Sequence, residues 1–202
     1  MSICPGYRLS ASLTLVCAGP TRFARVGGFP GPDEPLEPAG RGKAGRRAER
    51  LAADRYCVSP ALAARQTADA LGMAASVDPA LADIDHGRWT GCGFADIQAA
   101  EPGGLAAWIA DPAAGAPEGE SLTAARSRIG PWIDMTASIG GRTLAVTHPM
   151  MIRAALSHAL GMPLSVTLSI DIAPWSRAML SHNRLWRLRA LIPSSDARAT
   201  HV

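Results

Sequence analysis

The sequence predicts an α/β fold of three layers, in which helices cover both faces of a mostly parallel sheet. Short apolar runs typical of buried strands alternate with longer segments of helical periodicity, and this alternation favours parallel strands joined by helices. Hydrophobic residues make up 48% of the 202 residues, enough for a sizeable core. We expect one domain over residues 1–192 and a mobile tail over 193–202.

The predicted strands are short. Residues 13–16 form an apolar run that stops before Gly19 and Pro20, which is typical of a central parallel strand. The other strands are predicted over 56–58, 144–147, 177–181 and 185–191, the last two at one side of the sheet.

The helices have recognisable ends. Residues 39–53 have a helical pattern, and a second helix is expected to start at Pro60 and to end at Gly72. Ser121 is a favourable N-cap for a long amphipathic helix, and residues 150–160 form a last helix before Gly161. Residues 83–120 lack a strand pattern and are rich in Pro and Gly, which predicts an insertion of short helices and loops.

Candidate site residues follow the predicted strands directly. Cys17 and Ala18 come after the first strand, Ser59 after the second and His148 after residues 144–147. Because parallel α/β sheets place their sites at the carboxyl ends of strands, we expect these residues to converge.

Several segments resemble, in the expected order, the motifs of the histidine phosphatase (phosphoglycerate mutase-like) superfamily. Residues 13–21 read LTLVCAGPT, where that family has an apolar strand followed by Arg-His-Gly-Glu-Thr. Further similar segments occupy residues 33–40, 59–68, 81–91, 117–121 and 146–154. The resemblance implies a phosphoglycerate mutase-like fold in which the insertion over 83–120 covers the pocket.

The resemblance also implies that most of the catalytic groups are missing. Cys17 stands at the position of the family's first Arg, Ala18 at that of the nucleophilic His and Ala63 at that of the second Arg. Asp83 replaces the acidic Glu, and His148 matches the second His. Arg65 does not substitute for the family's second Arg. A shift of two residues turns a helical side chain by about 200°, so Arg65 lies on the opposite face of the helix from position 63.

These losses predict a pseudo-phosphatase that binds a small ligand or a partner. Hydrogen bonds to charged groups contribute about 1.5–3 kcal/mol each, so losing both Arg side chains weakens phosphate binding by about 3–6 kcal/mol. We expect ligand contacts from residues near the first motif and the pocket: Gly19, Thr21, Arg22, Arg25, His86 and His148.

Two other functions stay open. A divergent phosphomonoesterase could use Cys17 as nucleophile with His148 as its base, or a water activated by a metal held by Cys17, Asp83, His86 and His148. The spacing of these residues carries no metal signature, and we expect neither a metal nor a cofactor. Alternatively, the chain is a structural interaction protein with a vestigial pocket.

Composition restricts the partners. A net charge of +3 is too small to indicate nucleic-acid binding, and no apolar run reaches the length of a membrane span. The four cysteines show neither paired nor framework spacing, which predicts a cytoplasmic protein without disulfides. The sequence leaves a homodimer open.

Overall fold

A computed structural model describes residues 10–38 and 52–194. Within them, six strands form one sheet in the order β3-β2-β4-β1-β5-β6. The strands are β1 (Ala11–Cys17), β2 (Arg55–Val58), β3 (Ser76–Val77), β4 (Gly141–Thr147), β5 (Arg177–Asn183) and β6 (Leu185–Ile192). The predicted strands are confirmed, each within a few residues of its expected bounds.

Seven α-helices connect and cover these strands in the described part of the chain. They are α1 (Arg22–Val26), α2 (Leu62–Ala70), α3 (Phe94–Ala100), α4 (Pro102–Ala110), α5 (Leu122–Ile139), α6 (Pro149–Leu160) and α7 (Leu164–Thr167). None of them combines the length and the apolar character that crossing a membrane requires. The helix predicted over 39–53 and the tail over 193–202 lie almost entirely outside the described residues.

The first strand lies inside the sheet, as its apolar sequence predicts. β1 pairs in parallel with β4, with Cys17 beside Thr147, and pairs antiparallel with β5 on its other side. β2 also runs parallel to β4. The carboxyl ends of β1, β2 and β4 therefore meet at one edge of the sheet, where Cys17, Ser59 and His148 were expected to converge.

Side chains of the central strands alternate between two cores. Leu13 and Leu15 of β1 pack with α5 and α6 on one face, where Leu13, Leu15 and Ile133 are fully buried. Val16 points into the opposite core, which contains Ala64 of α2. This alternation follows from the two-residue period of a strand. The three-layer α/β/α class is thus confirmed.

Residues 83–120 form the expected insertion of short elements, namely the 3-10 helix Gly87–Trp89, α3 and α4. Its two ends are held together by backbone hydrogen bonds, from Arg88 N to Pro117 O (3.0 Å) and from Glu120 N to Asp85 O (2.7 Å). A separate apolar cluster fills it, containing Phe29, Trp89, Ile97, Leu105 and Ala116. The insertion therefore has its own small core beside the sheet edge.

Candidate functional site

A cavity of about 640 Å³ lies at the carboxyl ends of the parallel strands, between the sheet and the insertion. Eight of the residues that the sequence predicts for the site line it: Cys17, Ala18, Gly19, Thr21, Ala63, Asp83, His86 and His148. This size falls in the range of small-molecule sites. Arg65 is exposed on the other side of α2, as the helix geometry predicts.

Arg22 and Arg25 do not line the cavity. Both belong to α1, are exposed, and have other partners. The guanidinium of Arg25 donates to Glu37 at 2.8 Å, and that of Arg22 lies 5.6 Å from the ring centre of Phe23. Neither guanidinium therefore contributes to the cavity lining.

Cys17, Ala18 and Ala63, which the resemblance aligns with the family's catalytic positions, form a small, apolar part of the cavity wall. Cys17, Ala18 and Ala63 are 1%, 6% and 4% exposed. Burial raises the pKa of the Cys17 thiol far above its ordinary value, and the nearby Asp83 carboxylate raises it further. Because the thiolate is the reactive form, Cys17 is a poor nucleophile in this environment.

His148 is held on both sides of its ring. Its Nε2 lies 2.8 Å from the hydroxyl of Ser59, and its Nδ1 lies 3.3 Å from a carboxylate oxygen of Asp83. The Ser59 contact is a hydrogen bond whose direction depends on which ring nitrogen carries the proton, whereas the Asp83 contact places a carboxylate at ion-pair distance. The histidine that the resemblance retains therefore has neither ring nitrogen free.

The order Ser59–His148–Asp83 has the connectivity of a nucleophilic triad, but its serine is out of reach. Ser59 is 0% exposed and does not line the cavity. Its Oγ also accepts a hydrogen bond from the Ala61 backbone at 3.2 Å. An acyl or phosphoryl group cannot approach a hydroxyl enclosed in this way, so Ser59 positions His148.

The loop that carries Asp83 is fastened from two directions. Thr147, the last residue of β4, donates from Oγ1 to Leu81 O at 2.7 Å. Arg128 of α5 donates to the carbonyl oxygens of Ala82 and Asp83 at 3.0 and 3.2 Å. The same guanidinium pairs with the Glu120 carboxylate at 2.7 Å. These bonds fix Asp83 beside His148, which directly follows β4.

Gly19 and Thr21 have structural roles at the cavity wall. Gly19 N donates to Thr67 Oγ1 of α2 at 2.9 Å. A Cβ at Gly19 would lie 2.6 Å from Trp175 Cζ2, so packing alone requires glycine here. Thr21 caps α1 by accepting from Ala24 N at 3.3 Å. Ligand contacts from either residue stay a prediction.

His86 lies in the insertion wall and is only 6% exposed. Its Nδ1 is buried and has no hydrogen-bond partner among the described residues. Burial holds the pKa of His86 below its ordinary value, although the carboxylates of Asp83 and Asp85 oppose this effect. The ring is therefore a neutral polar group at the cavity surface.

Sequence reasoning missed part of the lining. Arg153 of α6 reaches the cavity, and its charge lies close enough to affect the pKa of Cys17. The signal was available, because position 153 is four residues after Pro149 and so returns to the side of the helix that starts at the site. Phe29, Phe94 and Trp108 also line the cavity. They come from loops and short helices, where sequence periodicity does not predict which side chains face a cavity.

The side chains of the metal hypothesis share the cavity without forming a metal centre. Cys17, Asp83, His86 and His148 all line it. Within residues 10–38 and 52–194, however, no group of three or more His, Cys, Asp or Glu side chains is arranged to hold an ion. Asp83 instead lies beside His148, with a carboxylate oxygen 3.3 Å from Nδ1.

Comparison with solved structures gives similar folds in several phosphatases. The mycobacterial glucosyl-3-phosphoglycerate phosphatase, solved with VO3, is 25% identical, with a TM-score of 0.81 over 91% of this chain and 100% of that chain. A putative α-ribazole-5'-P phosphatase from Escherichia coli str. K-12 is 20% identical, with a TM-score of 0.82 over 91% and 96% of the two chains. Curated proteins give no significant match to the sequence.

The family model covers almost the whole described fold. The model of the histidine phosphatase superfamily (branch 1) matches residues 13–190, from the first strand to the last. This range contains all the motifs on which the resemblance rests and all the described residues that line the cavity. The chain therefore belongs to the histidine phosphatase superfamily.

Proposed function

We propose that this protein is a catalytically inactive member of its family whose cavity binds a small ligand. One observation carries the proposal. The positions that the resemblance assigns to the nucleophile and to two cations are occupied by Ala18, Cys17 and Ala63, all buried in the cavity wall. The two alanines cannot attack phosphorus, the buried Cys17 thiol is a poor nucleophile, and none of the three side chains carries a positive charge to neutralise phosphate oxygens. The cavity itself is retained.

The groups that remain support the same function. His148 is hydrogen-bonded to Ser59 through Nε2 and has the Asp83 carboxylate 3.3 Å from Nδ1. Donating a proton to a leaving group would require breaking one of these contacts. Arg153 brings one cation to the cavity, but it donates two hydrogen bonds to Ile170 O at 3.1 and 2.9 Å.

The alternative of a divergent phosphomonoesterase draws on the phosphatase activity named for the structural relatives and on the shared location of Cys17, His148 and Arg153. The buried thiol argues against it. A structural interaction protein with a vestigial pocket is the other alternative. Thermal shift separates the three, because vanadate stabilises a phosphomonoesterase and a vestigial pocket responds to nothing.

The deciding experiment is a hydrolysis assay on the full chain with generic phosphomonoesters. The mycobacterial glucosyl-3-phosphoglycerate phosphatase serves as the active control. We expect rates equal to the buffer blank and no acid-labile phosphohistidine at His148. Turnover abolished by Cys17→Ser would overturn the proposal in favour of a cysteine nucleophile. Turnover abolished by a chelator would overturn it in favour of a metal-bound water.

A further inference from the structure

The cavity is lined by an unusual share of the aromatic residues of the chain. All three phenylalanines, Phe23, Phe29 and Phe94, line it together with Trp108. Phe29 packs against two of these rings: its ring centre lies 4.9 Å from that of Phe94 and 5.2 Å from that of Trp108. Phe94 is 41% exposed although its ring packs against Phe29 of the insertion core. A partly open aromatic wall inside a cavity is a surface for a ligand with an apolar, flat body.

The charge of the lining is negative. Among the described lining residues, the acidic side chains are Asp33, Asp83 and Asp85, whereas Arg153 is the one basic side chain. Asp33 and Asp85 both line the cavity, and both residues are exposed. Such a site attracts cations and repels the multiply charged phosphate group.

The guanidinium of Arg153 offers an anion little. Its Nε and one terminal nitrogen donate to Ile170 O, and the other terminal nitrogen lies 3.3 Å from Met150 Sδ. Asp171 also lies near enough to act on its charge. Binding a phosphate there would mean giving up hydrogen bonds inside the protein.

The ring of His86 belongs to the same cavity wall. The imidazole of His86 is more than nine-tenths buried, lines the cavity, and leaves Nδ1 without a partner in the described part of the chain. Because Nδ1 itself is enclosed, the ring contributes to the cavity wall as a flat surface rather than as a hydrogen-bond partner of a ligand. His86 also lies 5.2 Å from Phe29, ring centre to ring centre, so this group joins the aromatic wall.

We propose that the cavity binds an organic cation with a flat aromatic body, of the arylalkylamine class, and discriminates against phosphate esters. The aromatic rings hold the body of the ligand, and the carboxylates of Asp33 and Asp85 attract its ammonium group. The inference rests on the proposed function, because it names the ligand class of the same cavity.

A matched series of indoles tests the charge preference. Tryptamine, tryptophol and indole-3-acetate share one aromatic body and differ in charge, and inorganic phosphate serves as a fourth probe. Calorimetry on the full chain at neutral pH should give the tightest binding for tryptamine. We expect it to bind at least about tenfold more tightly than indole-3-acetate, a difference of about 1.4 kcal/mol. Phosphate should bind too weakly to measure.

Variants separate the aromatic contribution from the charge. Phe94→Leu should weaken the binding of tryptamine and tryptophol alike. Asp85→Asn keeps an oxygen for Gly87 N, which now donates to Asp85 Oδ1 at 2.8 Å, and should weaken only tryptamine. Asp69→Asn is the matched control, because Asp69 is exposed on α2 and does not line the cavity. It should leave all affinities unchanged.

Three outcomes would overturn the inference. Equal affinity for the three indoles would refute the role of charge. Tightest binding of indole-3-acetate or phosphate would show that the cavity prefers anions. Binding of no indole at all would refute the aromatic body. None of these binding results bears on catalysis. The hydrolysis assay decides separately whether the protein is inactive.

Discussion

The Nε2 atom of His148 lies 2.8 Å from the Oγ atom of Ser59, and both residues are buried. Eighty-nine residues separate them in the sequence. The contact exists because β2 and β4 are parallel neighbours, so that the residues following each strand end side by side. It joins the retained histidine of the family motif to a side chain that no ligand can reach.

The first prediction concerns this contact. Ser59→Ala leaves Nε2 of His148 and N–H of Ala61 without their partner, and should lower the free energy of unfolding by about 1–3 kcal/mol. Urea unfolding at pH 7 measures the change. Ser138→Ala is the matched control, because its hydroxyl donates to Asp134 O on an exposed helix surface. If the free energy of unfolding falls by the same small amount in both variants, the Ser59 contact does not stabilise the site.

The second prediction concerns the thiol of Cys17. Because Cys17 is 1% exposed and burial raises the pKa of its thiol, iodoacetamide should modify it slowly in the folded protein. Cys92 is partly exposed and serves as the internal control. Peptide mapping by mass spectrometry at pH 8 should show Cys92 alkylated and Cys17 intact, and both should react in urea. Rapid labelling of Cys17 in the folded state would restore it as a candidate nucleophile.

The centre of the sheet could be predicted because β1 and most of β4 are buried on both faces. The apolar run Leu13–Val16 is typical of a buried parallel strand, and the Gly and Pro residues that follow it mark its end. The start of α2 was predicted less well. Pro60 suggests the first helical residue, but Ser59 Oγ accepts from Ala61 N and holds these residues in a turn, so α2 begins at Leu62.

The composition of the cavity wall could be predicted only in part. Residues that follow strands, such as His148, are placed by the sheet and were expected at the site. Phe29 and Phe94 reach the cavity through the packing of separate loops, which leaves no periodic signal in the sequence. Arg22 and Arg25 do not line the cavity, and ligand contacts from them stay a prediction. Proximity in sequence to the first motif brought Thr21 to the cavity but not the two arginines.

The third prediction concerns pH. Burial lowers the pKa of His86 below its ordinary value of 6.5, so the folded state resists its protonation more than the unfolded state does. Stability linked to His86 is therefore complete above pH 6.5 and is lost as the pH falls below it. His86→Gln should lose less stability than the parent chain between pH 7.5 and 5.5, measured by urea unfolding. A parallel loss in the two proteins would show that His86 does not carry this dependence.

The last prediction concerns an attempt to rebuild the phosphate site. The triple variant Cys17→Arg, Ala18→His, Ala63→Arg places two cations and a nucleophile at positions that all line the cavity. We expect it to bind phosphate or vanadate at least about tenfold more tightly than the parent, about 1.4 kcal/mol by calorimetry. Single changes should do little, because catalytic groups that act as a unit are not additive.

Packing sets the risk of this experiment and its interpretation. Cys17 is 1% exposed and Ala63 is 4% exposed, so larger side chains there add about 1–3 kcal/mol of overpacking strain. An Arg at position 17 would also lie near Arg153, whose charge already acts on Cys17. Thermal unfolding must therefore show a cooperative transition before binding is interpreted. A well-folded triple variant that binds phosphate no better than the parent would mean that positions 17, 18 and 63 do not face one anion site.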